Sequence, residues 1–81
     1  MLKGAVILQG MNDSSILCTI RNMHEGGAEL RVPGDAAVPE SFLLFMQAER
    51  ICYRCEVRWR GRERVGVQFL ASEPKPRWYH G

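Results

Sequence analysis

Four groups of residues in this 81-residue chain have types and spacing suited to chemistry. The first is the run Asn22-Met23-His24-Glu25-Gly26-Gly27-Ala28. An asparagine side chain both donates and accepts, which suits the edge of a purine. Gly27, five residues later, permits close backbone approach or a positive φ. The same residues also make an ordinary turn, and turn chemistry alone favours that plainer reading. His24 is the residue here that could act as acid or base, although a hydrogen-bonded turn histidine is the commoner case.

The second group is basic. Six of the nine arginines lie between Arg50 and Arg64, and Arg54, Arg58, Arg60, Arg62 and Arg64 form a stripe interrupted by Glu56 and Glu63. Such a stripe could hold anions or a partner. The interspersed acids lower the field a phosphate would feel, which favours a solvated face with arginines and glutamates paired across a hairpin. The third group is Cys52-Tyr53-Arg54-Cys55, a CxxC placed inside an alternating stretch. On a strand, residues i and i+3 point to opposite faces, so this spacing does not make a zinc knuckle; a buried Cys55 and a half-exposed Cys52 are expected, with no metal site. The fourth is the tail Pro74-Lys75-Pro76-Arg77-Trp78-Tyr79-His80, which mixes cations and aromatics. It can pack over the domain, meet a partner or stay mobile. No triad and no glycine-rich loop opening a helix is suggested, so the expectation is a binding protein, not an enzyme, with no cofactor.

The elements that must position these groups are short strands. Leu2–Leu8 reads as a first strand closed by Gly10, Asn12 and Asp13. Ser14–Asn22 follows, with Ile16, Cys18 and Ile20 on one face. Ala28–Val32 is a third, and the Pro33–Pro39 stretch is a loop. Phe42–Ala48 is a fourth strand or a helical turn; an apolar run alone does not decide. From Ile51 the pattern alternates strictly: Ile51, Tyr53, Cys55, Val57 and Trp59 on a buried face, with Cys52, Arg54, Glu56, Arg58 and Arg60 on a solvated one. Gly61 turns the chain, and Val65, Val67 and Phe69 return. The reading is all-β, a small six-stranded antiparallel β-barrel over residues 1–72 with a short tail over 73–81. One small domain leaves little room for a deep cleft. The net charge of +2 does not announce nucleic acid. The apolar runs Ala5–Leu8 and Phe42–Met46 are too short to cross a bilayer, and no signal-peptide pattern opens the chain, so a cytoplasmic location without membrane insertion is expected. The odd number of cysteines, 3, is no disulfide framework.

Three segments, CTIRNMHEGGAELRV, PESFLLFM and YRCEVRWRGRERVGVQF, together resemble a bacterial PilZ domain over about residues 3 to 70. Asn22 and Gly27 stand where the family has its D/N-x-S-x-x-G motif, and Trp59 with the return Val65–Phe69 matches the family's terminal hairpin. The resemblance implies a six-stranded split barrel that binds the second messenger cyclic di-GMP and passes the signal on through protein contacts. It marks Lys3, Arg21, Asn22, His24, Gly26 and Gly27 as the ligand-contacting set. Two positions depart from the pattern. His24 replaces the serine, with a larger and differently placed polar group. The family's RxxxR before the first strand has no match in Met1-Leu2-Lys3, and Lys3 offers a point charge where arginine offers a fork. The other RxxxR matches, such as Arg54 to Arg58, lie in the wrong part of the fold.

Three functions follow. The favoured one is a PilZ-like regulatory or adaptor domain with a protein partner and with cyclic di-GMP binding lost or weakened. The second is a functional cyclic di-GMP receptor, which paired arginines upstream of Met1 would favour. The third is a small basic barrel for nucleic acid, which the interleaved acids and sparse exposed aromatics disfavour.

Overall fold

The computed structural model describes residues 3–9, 15–77 and 79. Six strands run β1 Lys3–Leu8, β2 Ser15–His24, β3 Gly27–Arg31, β4 Ser41–Met46, β5 Ile51–Gly61 and β6 Arg64–Pro74. They close into an antiparallel barrel in the order β1-β2-β3-β6-β5-β4, with β4 returning to β1. This is the all-β architecture the alternating patterns imply. The described residues contain no helix long and apolar enough to cross a membrane.

The interior is filled from alternate positions: Ala5 and Ile7 of β1, Cys18 and Ile20 of β2, Leu30 of β3, Leu44 of β4, Cys55 of β5, Val65 and Val67 of β6. A second apolar cluster lies outside the barrel, where Val6, Leu8, Phe45 and Cys52 are buried with Leu43 and Tyr79 packed against them. Register explains it. Val6, Phe45 and Cys52 stand opposite one another across β1, β4 and β5, so their side chains share the outer face. The tail returns over this row and sets the Tyr79 ring edge-on to Phe45, with centroids 5.4 Å apart. Strands β1 and β4 are thus covered on both sides, which is why they read as unbroken apolar runs and not as alternating ones. The same cover makes the fourth element a strand, because a second apolar face is needed there.

Three details differ from the sequence reading. Cys52 is fully buried, not half-exposed, because the tail covers its face. The strand β6 extends through Glu73 to Pro74, facing Cys52 and Ile51. Proline is tolerated there because β3 pairs only as far as Gln68, so that end of β6 has a single neighbour. Trp59 leaves the buried face, for a reason given below. Trp78 and His80 lie outside the described residues.

Burial also sets cysteine chemistry. Desolvation pushes the Cys18 and Cys55 thiols up to about 12, and it raises Cys52 as well. Thiolate is the reacting form. At pH 8 the native Cys18 and Cys55 should therefore react with a disulfide reagent at least about tenfold more slowly than a free thiol. All three cysteines should react at once in denaturant; fast native labelling of Cys18 or Cys55 would contradict this packing.

Candidate functional site, an outer groove across four strands

A strand shows alternate residues to opposite faces, and by that count Asn22 would follow Ile20 into the core. It does not, because β2 carries a bulge. Ile20 stands opposite Leu30 and Asn22 opposite Glu29, so Arg21 is one residue extra. The bulge turns Asn22 outward, and His24 with it. A second bulge does the same on β5. Val57 stands opposite Val67 and Trp59 opposite Gly66, with Arg58 extra. This takes Trp59 out of the buried face that strict alternation assigned to it, and 45% of it is exposed.

The two bulges face each other across β3 and β6. Asn22, Glu29, Gly66 and Trp59 form one continuous row over β2, β3, β6 and β5. His24, Gly27, Gln68 and Glu56 form the row beside it. Together they make a groove of about 480 Å³ lined by Asn22, His24, Gly26, Glu29, Arg58, Trp59 and Gln68, among others. That is within the range of small-molecule sites, roughly 300–1,000 Å³.

Two glycines shape its floor. At Gly66 a Cβ would fall within 2.0 Å of the Trp59 indole nitrogen, so the ring occupies the space a side chain would take. The indole is laid against β6 as a platform. At Gly27 a Cβ would sit 2.1 Å from the Val67 carbonyl oxygen. Close backbone approach is therefore what this glycine supplies; its φ is not in the left-handed region. The turn itself is held by His24, whose Nδ1 accepts the Gly26 N–H at 3.2 Å. That bond leaves Nε2 as the nitrogen that carries the proton in the neutral ring.

The charges of the groove are matched internally. Arg58 donates to the Gln68 side chain and lies 3.5 Å from the Glu56 carboxylate. Arg64, just beyond the rim, lies 3.3 Å from Glu29. Further along β5, Arg54 pairs with Glu73 at 2.6 Å, and Arg60 donates to the Val38 carbonyl at 2.8 Å. The Arg54 hydrogen bond holds the Glu73 carboxyl below the usual range. The arginine stripe is thus largely a paired, solvated face.

Of the residues marked from sequence, Asn22, His24 and Gly26 line the groove and Gly27 lies buried in its second row. Arg21 is exposed at the bulge beside Asn22 and is not part of the lining. Lys3 is not brought to the groove either; it binds Glu49 at 2.9 Å, and that contact holds Glu49 below the usual carboxylate range. Sequence reasoning missed Glu29, Gln68 and the outward face of Trp59. Only a tryptophan set against a glycine in the returning strand hinted at the last.

A family model, PilZ domain, matches residues 5–77. The chain belongs to the PilZ domain family. Neither a curated protein nor a solved structure matches it. The match covers nearly the whole barrel, including the Asn22–Gly27 segment. A PilZ domain is a regulatory binding domain of cyclic di-GMP signalling.

The two glycines predict separable defects. Gly27→Ala drives a methyl into backbone and should destabilise the fold by about 1–3 kcal/mol in urea denaturation. Gly66→Ala meets only a side chain; it should leave stability within about 1 kcal/mol while shifting tryptophan emission as the indole is lifted. Equal destabilisation by both would refute the platform geometry.

Proposed function

We propose that this PilZ domain is a regulatory adaptor that acts through protein contacts, with a groove that takes a base of cyclic di-GMP but grips its phosphates poorly. The observation that carries this reading is the pairing of Arg58 in the groove, of Arg64 just beyond its rim, and of Lys3, which stands away from it, with acids of this chain. Arg58 is committed to Glu56 and Gln68, Arg64 to Glu29 and Lys3 to Glu49. A phosphate gains most from an arginine fork free to bind it bidentately. Here it would have to displace a carboxylate, and Glu29 adds negative charge to the floor. Base recognition is better served. Trp59 offers a stacking face, and stacking is worth about 1–3 kcal/mol per base. Asn22 stands in the same row with both a donor and an acceptor.

The reading as a fully competent receptor draws on the same convergence of Asn22, His24 and Trp59. Arg21, which has no ion-pair partner among the described residues, is the cation nearest the motif in sequence that could serve it. A nucleic-acid role is disfavoured by the paired arginines.

Calorimetric titration with cyclic di-GMP separates these. Weak binding is expected, with Kd of about 100 µM or more (about 5 kcal/mol), further reduced by Asn22→Ala and by Trp59→Ala. Binding at about 1 µM or tighter that Asn22→Ala abolishes would replace the adaptor reading with the receptor one.

A further inference from the structure

The centre of the groove holds a carboxylate that a phosphate site has no use for. Glu29 projects from β3 between Asn22 on one side and Gly66, under the Trp59 indole, on the other. Its side chain is only 21% exposed, although it lies on the outer face. Arg64 holds it from along the strand, Nη1 to Oε2 at 3.3 Å. That leaves Oε1 without a hydrogen bond among the described residues, and a carboxylate retains acceptor sites on both oxygens.

We propose that Glu29 is the residue that selects guanine, by accepting hydrogen bonds from the Watson–Crick edge of a base stacked on Trp59. This rests on the base-binding groove proposed above and names its specificity. Neighbouring strands are about 4.8 Å apart, so a ring over Gly66 and the indole is flanked by the β3 side chains. Guanine presents two donors side by side on that edge, N1–H and the N2 amino group, and a carboxylate can accept from both. Adenine presents a lone pair at N1 and no amino group at C2, so the same carboxylate can take at most one hydrogen bond, from the N6 amino group, while its other oxygen faces an acceptor. Leaving one oxygen of a mostly buried carboxylate against an acceptor is costly, which is how such sites discriminate. Arg64 is a positioning residue here. It neutralises Glu29 in part and fixes its reach without touching the base. Asn22, next along the row, can serve the remaining edge of the ring.

The test compares cyclic di-GMP with cyclic di-AMP on the full chain, followed by tryptophan quenching and by backbone amide shifts of residues 22–29. The wild type should prefer the guanine ligand by at least about tenfold. Glu29→Gln is isosteric and lies on the outer face, so the fold should survive, as an unchanged amide spectrum elsewhere would show. Its amide places a donor against one guanine donor, and the preference should fall to about threefold or less, mostly through weaker cyclic di-GMP binding. Arg64→Ala should weaken the preference less than Glu29→Gln. If the wild type binds cyclic di-GMP but Glu29→Gln keeps the full preference, the Glu29 assignment is wrong and the groove reading stands. If neither nucleotide perturbs Trp59 or residues 22–29 in the wild type, both the groove and the Glu29 assignment are wrong.

Discussion

The alternation of side chains along a strand is the constraint on which this molecule turns. In a closed barrel, one face of every strand must fill the interior, so a residue displaced by one position changes sides. The extra residues Arg21 on β2 and Arg58 on β5 do this within the two strands that flank β3 and β6. Up to each bulge the strand feeds the core; beyond it, Asn22, His24 and Trp59 are handed to the outer face. The groove exists because both bulges fall at the same height on the barrel. A one-residue slip in either strand would return its functional side chain to the interior.

Glycine completes what the bulges begin. Gly66 leaves a space that the indole occupies, and Gly27 lets β3 press against the Val67 carbonyl. The floor is therefore backbone and aromatic surface, flat enough for a planar ring. On the opposite side of the barrel the logic reverses. There, Val6, Phe45 and Cys52 would be an exposed apolar row, and the chain returns Tyr79 to cover it. One outer face is left open and polar while the other is sealed. The outer groove lies on the β2-β3-β6-β5 side.

Electrostatics then limits what the open face can hold. Arg58 in the groove and Arg64 at its rim are paired with Glu56, Gln68 and Glu29, which lowers the field a phosphate would feel there. What remains available is recognition of shape and of hydrogen-bond pattern: a ring platform, an amide that can donate and accept, and a fixed carboxylate. On the proposed reading, such a surface discriminates between bases more readily than it captures anions.

Much of this was legible in the residues themselves. Alternation in Ile51–Val57 and Val65–Phe69, with Gly61 between them, is enough to require a hairpin, and six such segments in so short a chain require closure. The Asn22–Gly27 spacing marked the turn and three of its groove residues. Pairing of the arginine stripe followed from its interleaved glutamates. Registers were not legible, because a bulge leaves no mark in composition: the period of two placed Trp59 inside and gave no reason for Glu29 to stand beside Asn22. Nor could local pattern show that Cys52 is buried, since the cover comes from Tyr79, 27 positions away in the chain. The residue types determined the barrel and the motif. Only the pairing of strands distant in sequence decided which side chains share a face, and the groove is made of that sharing.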